Sequence, residues 1–210
     1  MILPALTAIV DADVAAVHGW TVPDAARACL NGGARLLQVR AKRAPSRALL
    51  EWCDQIVAAA APFRAAIAVN DRPEIALMAG AAGVHVGQDD LSPSAVRSLL
   101  GPSALVGLST HTREQVRAAV GESITYLAVG PVFGSRTKET GYQAVGLELV
   151  RFAAGEAAGS VSVVAIGGIT LERAADVLAA GAASVAVIGD LFATGDPEGR
   201  TREYVDRLAS

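Results

Sequence analysis

Short runs of apolar residues alternate along the chain with longer, Ala-rich segments in which apolar residues recur at helical spacing. A Gly often stands where a helical segment gives way to an apolar run, which is typical of the C-terminal end of a helix. The apolar runs predict eight β-strands, near residues 5–10, 35–40, 65–70, 83–87, 104–109, 125–129, 161–166 and 184–188. The intervening segments predict helices near 22–32, 46–61, 73–80, 92–100, 112–121, 146–158, 171–180 and 197–208.

The predicted strands lack a regular alternation of polar and apolar residues, which is typical of parallel strands covered on both faces. Eight β/α units can close into a barrel, and 210 residues lie at the short end of the size range for that fold. No Pro- or Ser-rich linker divides the chain. We therefore predict an α/β fold, a single-domain (β/α)8 TIM barrel over residues 1–210, with a doubly wound open sheet as the alternative.

Composition narrows the classes of function. A hydrophobic fraction of 52% excludes intrinsic disorder. A net charge of −3 and an aromatic fraction of 4% disfavour a nucleic-acid partner. The apolar runs are shorter than the roughly 18–20 residues that span a bilayer, and the N-terminus does not resemble a secretory signal. We expect a cytoplasmic protein with no membrane partner. Formation of a homo-oligomer is possible.

The two cysteines, Cys29 and Cys53, form no C-x-x-C motif and lie in helical patterns. We expect both to be buried as small apolar residues, rather than to form a disulfide or a catalytic thiol.

Polar residues concentrate at the carboxyl ends of the predicted strands, the face on which β/α barrels carry their active sites. The second strand ends with Gln38, Arg40 and Lys42, which a period of two places on one side. These residues form either a surface salt-bridge strip or part of a binding site. Because the neighbouring residues are apolar, we favour the binding site.

Two carboxylates follow neighbouring strands, Asp71 after the third and Asp90 after the fourth. Each could be only the N-cap of the next helix. Their placement beside Arg40 and Lys42 indicates instead a Mg²⁺ site joined to a phosphorylated ligand, because Mg²⁺ needs few protein carboxylates and takes further oxygens from phosphates. The scattered His residues and the two cysteines give no zinc-site spacing.

Later strand ends offer groups that bind phosphate. Ser109 ends the fifth strand, and the long 130–141 loop is rich in Gly, hydroxyls and cations, so it forms either an anion-binding loop or a solvated turn. Glycines after strands seven and eight let backbone amides and a helix N-terminus approach a phosphate. Asp190 does not fit an anion site, and we expect it to cap the last helix.

These positions predict two anion sites on one face. Arg40, Lys42, Lys138 and a carboxylate-held Mg²⁺ suit a pyrophosphate, whereas neutral amides and hydroxyls suit a monophosphate. Gln38 lies between them and can bond a heterocycle through both its amide donor and its acceptor.

Six phrases, in this order, resemble the thiamine-phosphate synthase family, which shares its fold with the thiazole tautomerases. The phrases are Gln38-Val39-Arg40-Ala41-Lys42, Val69-Asn70-Asp71, Gly83-Val84-His85-Val86-Gly87-Gln88-Asp89-Asp90, Gly107-Leu108-Ser109, Gly130-Pro131-Val132-Phe133 with Thr137-Lys138, and Ala165-Ile166-Gly167-Gly168-Ile169. The chain departs from the family where Gly134-Ser135 replaces the usual Pro-Thr and where Gly189 replaces the usual Ser.

The resemblance implies an enzyme that joins an aminopyrimidine-methyl pyrophosphate to hydroxyethylthiazole phosphate, giving thiamine phosphate and pyrophosphate. It implies that Asp71 and Asp90 bind Mg²⁺ and that Gln38 binds the pyrimidine. It implies that the pyrophosphate is held by Arg40, Lys42, Asn70, Ser109 and Lys138, of which Arg40, Lys42, Ser109 and Lys138 are the catalytic candidates. The thiazole phosphate would be held by Ser135, Arg136, Thr137, Gly168, Ile188 and Gly189.

Three alternatives stay open. The tautomerase branch typically has a His at the end of strand six, where this chain has Gly130, and tends to lose the cations kept here as Arg40, Lys42 and Lys138. The others are another phosphate-using barrel enzyme and a non-catalytic regulator that binds a phosphorylated metabolite.

Overall fold

The computed structural model describes residues 3–134 and 143–209. Within these ranges the strands are β1 (Leu6–Asp11), β2 (Leu36–Arg40), β3 (Ala66–Asn70), β4 (Gly83–Val86), β5 (Leu105–Thr110), β6 (Tyr126–Val129), β7 (Ser162–Ile166) and β8 (Ser184–Val187). The α-helices are α1 (Ala12–Val17), α2 (Val22–Asn31), α3 (Ser46–Ala60), α4 (Pro73–Met78), α5 (Pro93–Leu100), α6 (Arg113–Val120), α7 (Gly146–Ala157), α8 (Leu171–Ala179) and α9 (Pro197–Leu208). Short 3₁₀ helices span Ala61–Phe63 and Gly189–Phe192.

The eight strands form a closed parallel barrel in chain order. The barrel closes where β1 pairs with β8, with Leu6 opposite Val185 and Ala8 opposite Val187. Each predicted strand overlaps an observed one, so the predicted (β/α)8 barrel is confirmed and the open-sheet alternative is wrong.

One helix was not predicted. α1 begins immediately after β1, where the Asp11 carboxylate accepts hydrogen bonds of 3.1 Å from the N–H groups of Asp13 and Val14. A helix of six residues is too short to show a hydrophobic period, so its cap, rather than its pattern, marks it.

Apolar side chains fill both sides of the strands. In β2, Leu36 packs in a cluster inside the barrel with residues such as Leu105 and Val164, whereas Leu37 belongs to the larger cluster that includes helix residues. Both leucines are buried. Burial on both faces explains why the strands show no polar alternation.

The cysteines are as expected: Cys29 and Cys53 are buried free thiols. Over the described residues, no helix has the length and apolar character needed to cross a membrane.

Candidate active site

A cavity of about 350 Å³ opens at the carboxyl ends of the strands, and all eight strands contribute residues to its wall. Seven of the predicted site residues line it: Gln38, Arg40, Asn70, Ser109, Gly168, Ile188 and Gly189. The predicted loop residues Ser135, Arg136, Thr137 and Lys138 lie outside the described residues.

The Gln38, Asn70 and Arg40 side chains come together on one wall of the cavity. Gln38 Nε2 donates a 2.9 Å hydrogen bond to Asn70 Oδ1, and both residues are buried. Arg40 Nη1 pairs with Asp11 Oδ2, while Arg40 Nε is buried without a hydrogen-bond partner in the described part of the chain. The surface salt-bridge strip is therefore wrong for Gln38 and Arg40, since both face the cavity. A buried guanidinium N–H without a partner is suited to an anionic ligand.

Lys42, Asp71 and Asp90 form a cluster next to this wall. Lys42 Nζ lies 3.3 Å from Asp71 Oδ2, and Lys42 is half exposed. Burial raises the pKa of Asp71, the Lys42 charge lowers it, and the neighbouring Asp90 carboxylate raises it further, so that the net direction is upward. The Asp71 backbone has φ of 62°, a left-handed conformation that is strained for a residue other than Gly.

Neither carboxylate caps a helix. Arg72 occupies the N-cap of α4, and the hydroxyl of Ser92 caps α5 by accepting from Ala95 N–H. The Asp90 carboxylate instead accepts a 2.7 Å hydrogen bond from Gly87 N–H. The helix-cap alternative is therefore wrong for Asp71 and Asp90.

Two facing carboxylates, one of them with a raised pKa, fit a divalent cation that would offset their repulsion. No set of three or more His, Cys, Asp or Glu side chains positioned to hold a metal occurs among residues 3–134 and 143–209. Such a two-carboxylate site suits Mg²⁺, which fills its other positions with water and ligand oxygens.

Ser109 belongs to a hydrogen-bonded chain that the sequence did not predict. Its Oγ lies 2.8 Å from His85 Nε2, and His85 Nδ1 lies 3.0 Å from the hydroxyl of Tyr126. His85 and Tyr126 line the cavity and are buried. Gln88 Nε2 also donates to the Ser109 carbonyl, which holds the end of β5 in place. Only the register of β4, β5 and β6 brings these residues together, so no local sequence signal marks them.

The segment after β6 is attached to the end of β7. Val132 and Phe133 donate backbone hydrogen bonds of 2.8 and 2.9 Å to the carbonyls of Ile166 and Gly167. Gly168 has φ of 63°, and a methyl group there would lie 2.6 Å from the Gly134 carbonyl oxygen. Gly168 therefore allows a close approach that any side chain would block.

Asp190 does not cap the last helix, whose N-cap is Asp196. Its Oδ2 atom accepts hydrogen bonds from Leu171 N–H at 3.2 Å, Arg200 Nη2 at 2.8 Å and the Tyr204 hydroxyl at 2.6 Å. The N–H of the first residue of α8 is thus already bonded to a carboxylate, which leaves less of this helix N-terminus for a phosphate than the sequence predicted.

A cation that the sequence did not single out lies beside this end of the cavity. Arg173 lines the cavity, and its guanidinium carbon lies 4.8 Å from the ring centre of Phe133. Arg173 Nη1 lies 3.5 Å from the Gly168 carbonyl oxygen. This end of the cavity therefore carries a positive charge as well as the predicted backbone groups.

Comparison with known proteins agrees with this arrangement. The family described as thiamine monophosphate synthase matches residues 6–191. Thiamine-phosphate synthase of Koribacter versatilis is 42% identical over 210 residues, covering 99% of this chain and 97% of that protein. Thiamine-phosphate synthase of Anaeromyxobacter dehalogenans is 47% identical over 173 residues, covering 82% of this chain and 77% of that protein.

A solved structure, thiamine phosphate pyrophosphorylase from Pyrococcus furiosus, superposes with a TM-score of 0.86 at 28% identity, covering 97% of this chain and 95% of that one. The family match extends over nearly all of the barrel, and the two relatives exceed 40% identity. The chain therefore belongs to the thiamine monophosphate synthase family.

Proposed function

We propose that this chain is a thiamine-phosphate synthase, a transferase that joins an aminopyrimidine-methyl pyrophosphate to hydroxyethylthiazole phosphate. The observation that carries the proposal is the cavity itself. It has Gln38, Asn70 and Arg40 on one wall, with the Asp71–Asp90 pair beside them, and Gly168 and Gly189 just after the ends of β7 and β8. The two phosphate-bearing substrates would therefore occupy opposite ends of one cavity.

The pyrophosphate end uses positive charge that is already in place. The unpartnered Nε–H of Arg40 can donate to a phosphate oxygen, and Lys42 adds a second cation near the ends of β2 and β3. Lys138 is proposed to belong to the same set. Groups that are held rigidly before the reaction stabilise charge on a leaving group without reorganising during the step.

Asp71 and Asp90 are the residues proposed to hold Mg²⁺. When bound there, the ion would neutralise part of the negative charge that builds up on the departing pyrophosphate. Lys42 contacts Asp71 and would keep this carboxylate oriented toward the same ligand.

The reaction needs little proton transfer by the protein. The bond from the pyrimidine methylene carbon to the pyrophosphate oxygen breaks, and its electron pair leaves with the pyrophosphate. The electron-rich aminopyrimidine stabilises the resulting cation, and the lone pair of the thiazole nitrogen forms the new C–N bond. Gln38 can orient the pyrimidine, because its amide nitrogen bonds Asn70 and its carbonyl oxygen can accept from a ligand amino group. Positioning and charge stabilisation are thus the main work of the site.

The thiazole phosphate is proposed to bind where β7 and β8 end, at Gly168, Ile188 and Gly189, with Ser135, Arg136 and Thr137 from the loop. Gly189 has no hydroxyl to offer, so this end depends on backbone groups, loop side chains and the Arg173 guanidinium.

The end of β6 disfavours the tautomerase alternative. A Cβ at Gly130 would lie 2.4 Å from the Ile166 carbonyl oxygen, so this backbone cannot accept the His that is typical of that branch. A cytoplasmic location and a homo-oligomer remain predictions.

Mixing the protein with both substrates and Mg²⁺ tests the proposal. We expect thiamine phosphate and pyrophosphate in equal amounts when both substrates are present, and neither product when the thiazole phosphate is replaced by thiazole alcohol at the same concentration. If the folded protein forms no thiamine phosphate, the proposed synthase activity is contradicted. Isomerisation of a thiazole phosphate supplied alone would identify a tautomerase, and binding of a phosphorylated substrate without turnover would identify a regulator.

A further inference from the structure

Three side chains on neighbouring strands form a continuous hydrogen-bonded chain inside the barrel. The hydroxyl of Tyr126 on β6 lies 3.0 Å from His85 Nδ1 on β4, and His85 Nε2 lies 2.8 Å from Ser109 Oγ on β5. Ser109 lines the cavity at the end of this chain.

Gly107 makes room for this arrangement. The strand register places His85, Gly107 and Tyr126 in one row across β4, β5 and β6. A Cβ on Gly107 would lie 2.4 Å from the Tyr126 hydroxyl oxygen and 2.5 Å from His85 Nδ1. The Tyr126–His85 hydrogen bond therefore passes over a position that only Gly can occupy.

The direction of the hydrogen bonds follows from the proton of Tyr126. The phenol is buried, and burial raises its pKa, so the hydroxyl stays protonated. Within the described residues, His85 Nδ1 is the one hydrogen-bond partner of that hydroxyl. The phenol therefore donates to Nδ1, because otherwise its proton would be buried without an acceptor. A neutral imidazole that accepts at Nδ1 carries its proton on Nε2 and donates to Ser109 Oγ.

We propose that His85 and Tyr126 are positioning residues that keep the hydroxyl proton of Ser109 directed toward the leaving pyrophosphate. When His85 donates to Ser109 Oγ, the Ser109 O–H is left to donate to an anion. In the opposite tautomer Ser109 donates its proton to His85. Only the lone pairs of Ser109 Oγ then face the pyrophosphate, and they repel the anion. The role rests on the proposed synthase function, whereas the tautomer itself can be measured without substrate.

The tautomer is tested by nitrogen NMR of protein labelled with ¹⁵N-histidine. The chain has three His, and the His85 signals are those that disappear in H85Q. We expect Nε2 of His85 to carry the proton and Nδ1 to be unprotonated, and we expect Y126F to increase the Nδ1-protonated form. A His85 that carries its proton on Nδ1 in the wild-type protein would overturn the proposal, even if the enzyme made thiamine phosphate.

Two matched variants test the effect on catalysis. The amide nitrogen of Gln can occupy the position of His Nε2 and donate to Ser109, whereas Asn reaches only the position of Nδ1. We expect H85N and S109A each to lower kcat by about 100-fold, as loss of one preorganised donor to a developing anion does. We expect KM to change little and H85Q to recover most of the lost kcat.

A double-mutant cycle separates positioning from a merely structural role. If His85 acts through Ser109, H85N has no further effect on kcat in the S109A protein. Multiplicative losses in the double variant would overturn the proposal. Circular dichroism melting curves check that each protein is folded. Y126F, which removes one oxygen, replaces H85N in the cycle if H85N does not fold, and its smaller kcat loss must likewise vanish in the S109A protein.

Discussion

At the scale of single residues, the Asp71 and Asp90 carboxylates place two negative charges at neighbouring strand ends, where burial and the Asp90 charge both raise the pKa of Asp71. Lys42 is half exposed and offsets them only in part, since the pKa of Asp71 is raised in spite of it. Without a metal this pair is expected to destabilise the protein slightly, and with Mg²⁺ it is expected to stabilise it.

Replacing Asp90 with Asn tests both effects. The amide oxygen can still accept from Gly87 N–H, so the local turn is kept while the charge is removed. We expect D90N to be about 0.5 kcal/mol more stable than the wild type in a chelating buffer, because one like-charge contact near the surface is relieved. We expect its kcat to fall roughly 100-fold or more, because a catalytic cation contributes several kcal/mol.

Thermal unfolding with and without Mg²⁺ measures the first effect, and the coupled assay measures the second. D89N is the matched control, because Asp89 is the exposed neighbour and lies outside the proposed site. A D90N protein that is still stabilised by Mg²⁺ as strongly as the wild type would contradict the proposed role of Asp90 as a ligand.

Asp190 supports a prediction about stability. Its carboxylate joins α8 to α9, because it accepts from Leu171 N–H, Arg200 and Tyr204 at one oxygen atom. Arg200 and Asp190 side chains are only 12% and 14% exposed. We expect D190N to lower the free energy of unfolding by about 3 kcal/mol, because the largely buried Arg200 charge loses its buried carboxylate partner and, within the described residues, keeps only the exposed Glu203 and Glu172.

Urea denaturation of D190N and E203Q provides the comparison. Glu203 pairs with the same Arg200, but its side chain is 54% exposed, so E203Q is expected to cost under about 1 kcal/mol. Equal losses in the two variants would show that burial of the Asp190 contact has little effect on stability.

At the scale of strands and helices, the sequence predicts the barrel well because each strand is a short apolar run between polar ends. The same reasoning locates Gln38, Arg40 and Ser109 on the cavity, since the carboxyl ends of parallel strands meet at one face. It does not predict the His85–Tyr126 contact, which depends on the register between strands. Nor does it predict the role of Asp190, whose partners lie in α8 and α9 and are 10 to 19 residues away along the chain.

The contact between the β6 loop and the end of β7 can be tested at Gly168. We expect G168A to push the loop away from β7, because its methyl would lie 2.6 Å from the Gly134 carbonyl oxygen and 2.9 Å from Phe133 Cβ. The thiazole phosphate is proposed to bind there, so its KM should rise while the KM of the pyrimidine pyrophosphate changes less.

Gly80 provides a control for backbone strain. Gly80 and Gly168 have φ of 64° and 63°, but a Cβ on Gly80 would meet nothing within 4 Å. Both Ala variants therefore carry the same left-handed strain, about 1–2 kcal/mol. Steady-state kinetics with each substrate varied in turn should show normal KM values for G80A. An unchanged thiazole-phosphate KM in G168A would contradict the proposed contact.

At the scale of the whole molecule, the barrel closes where the two ends of the described chain meet. β1 pairs with β8, and α9 packs so closely on α2 that a Cβ on Gly32 would lie 2.4 Å from the Glu198 carbonyl oxygen. Cys29 on α2 lies at this closure, beside Thr201 of α9, and both residues are buried. Cys53 lies on α3, which packs on α2.

The two thiols report on whether the barrel unfolds as one unit. Burial raises the pKa of Cys29 to about 11 and that of Cys53 to about 12, so both stay protonated and unreactive in the folded protein at pH 8. Unfolding returns them to a pKa near 8.5, at which a substantial fraction is reactive thiolate. Labelling by a disulfide reagent therefore requires unfolding around each cysteine.

The variants C29A and C53A each retain one cysteine, Cys53 and Cys29 respectively. We expect their labelling rates to give the same free energy of opening, equal to the global free energy of unfolding from urea denaturation. The reason is that a closed barrel cannot expose one β/α unit without losing the strand pairing and helix packing on both sides of it. The reagent concentration is kept low, so that labelling follows the equilibrium population of the open form. A lower opening free energy at Cys29 than at Cys53 would contradict this and would show that α9 and the β1–β8 closure separate before the rest of the barrel unfolds.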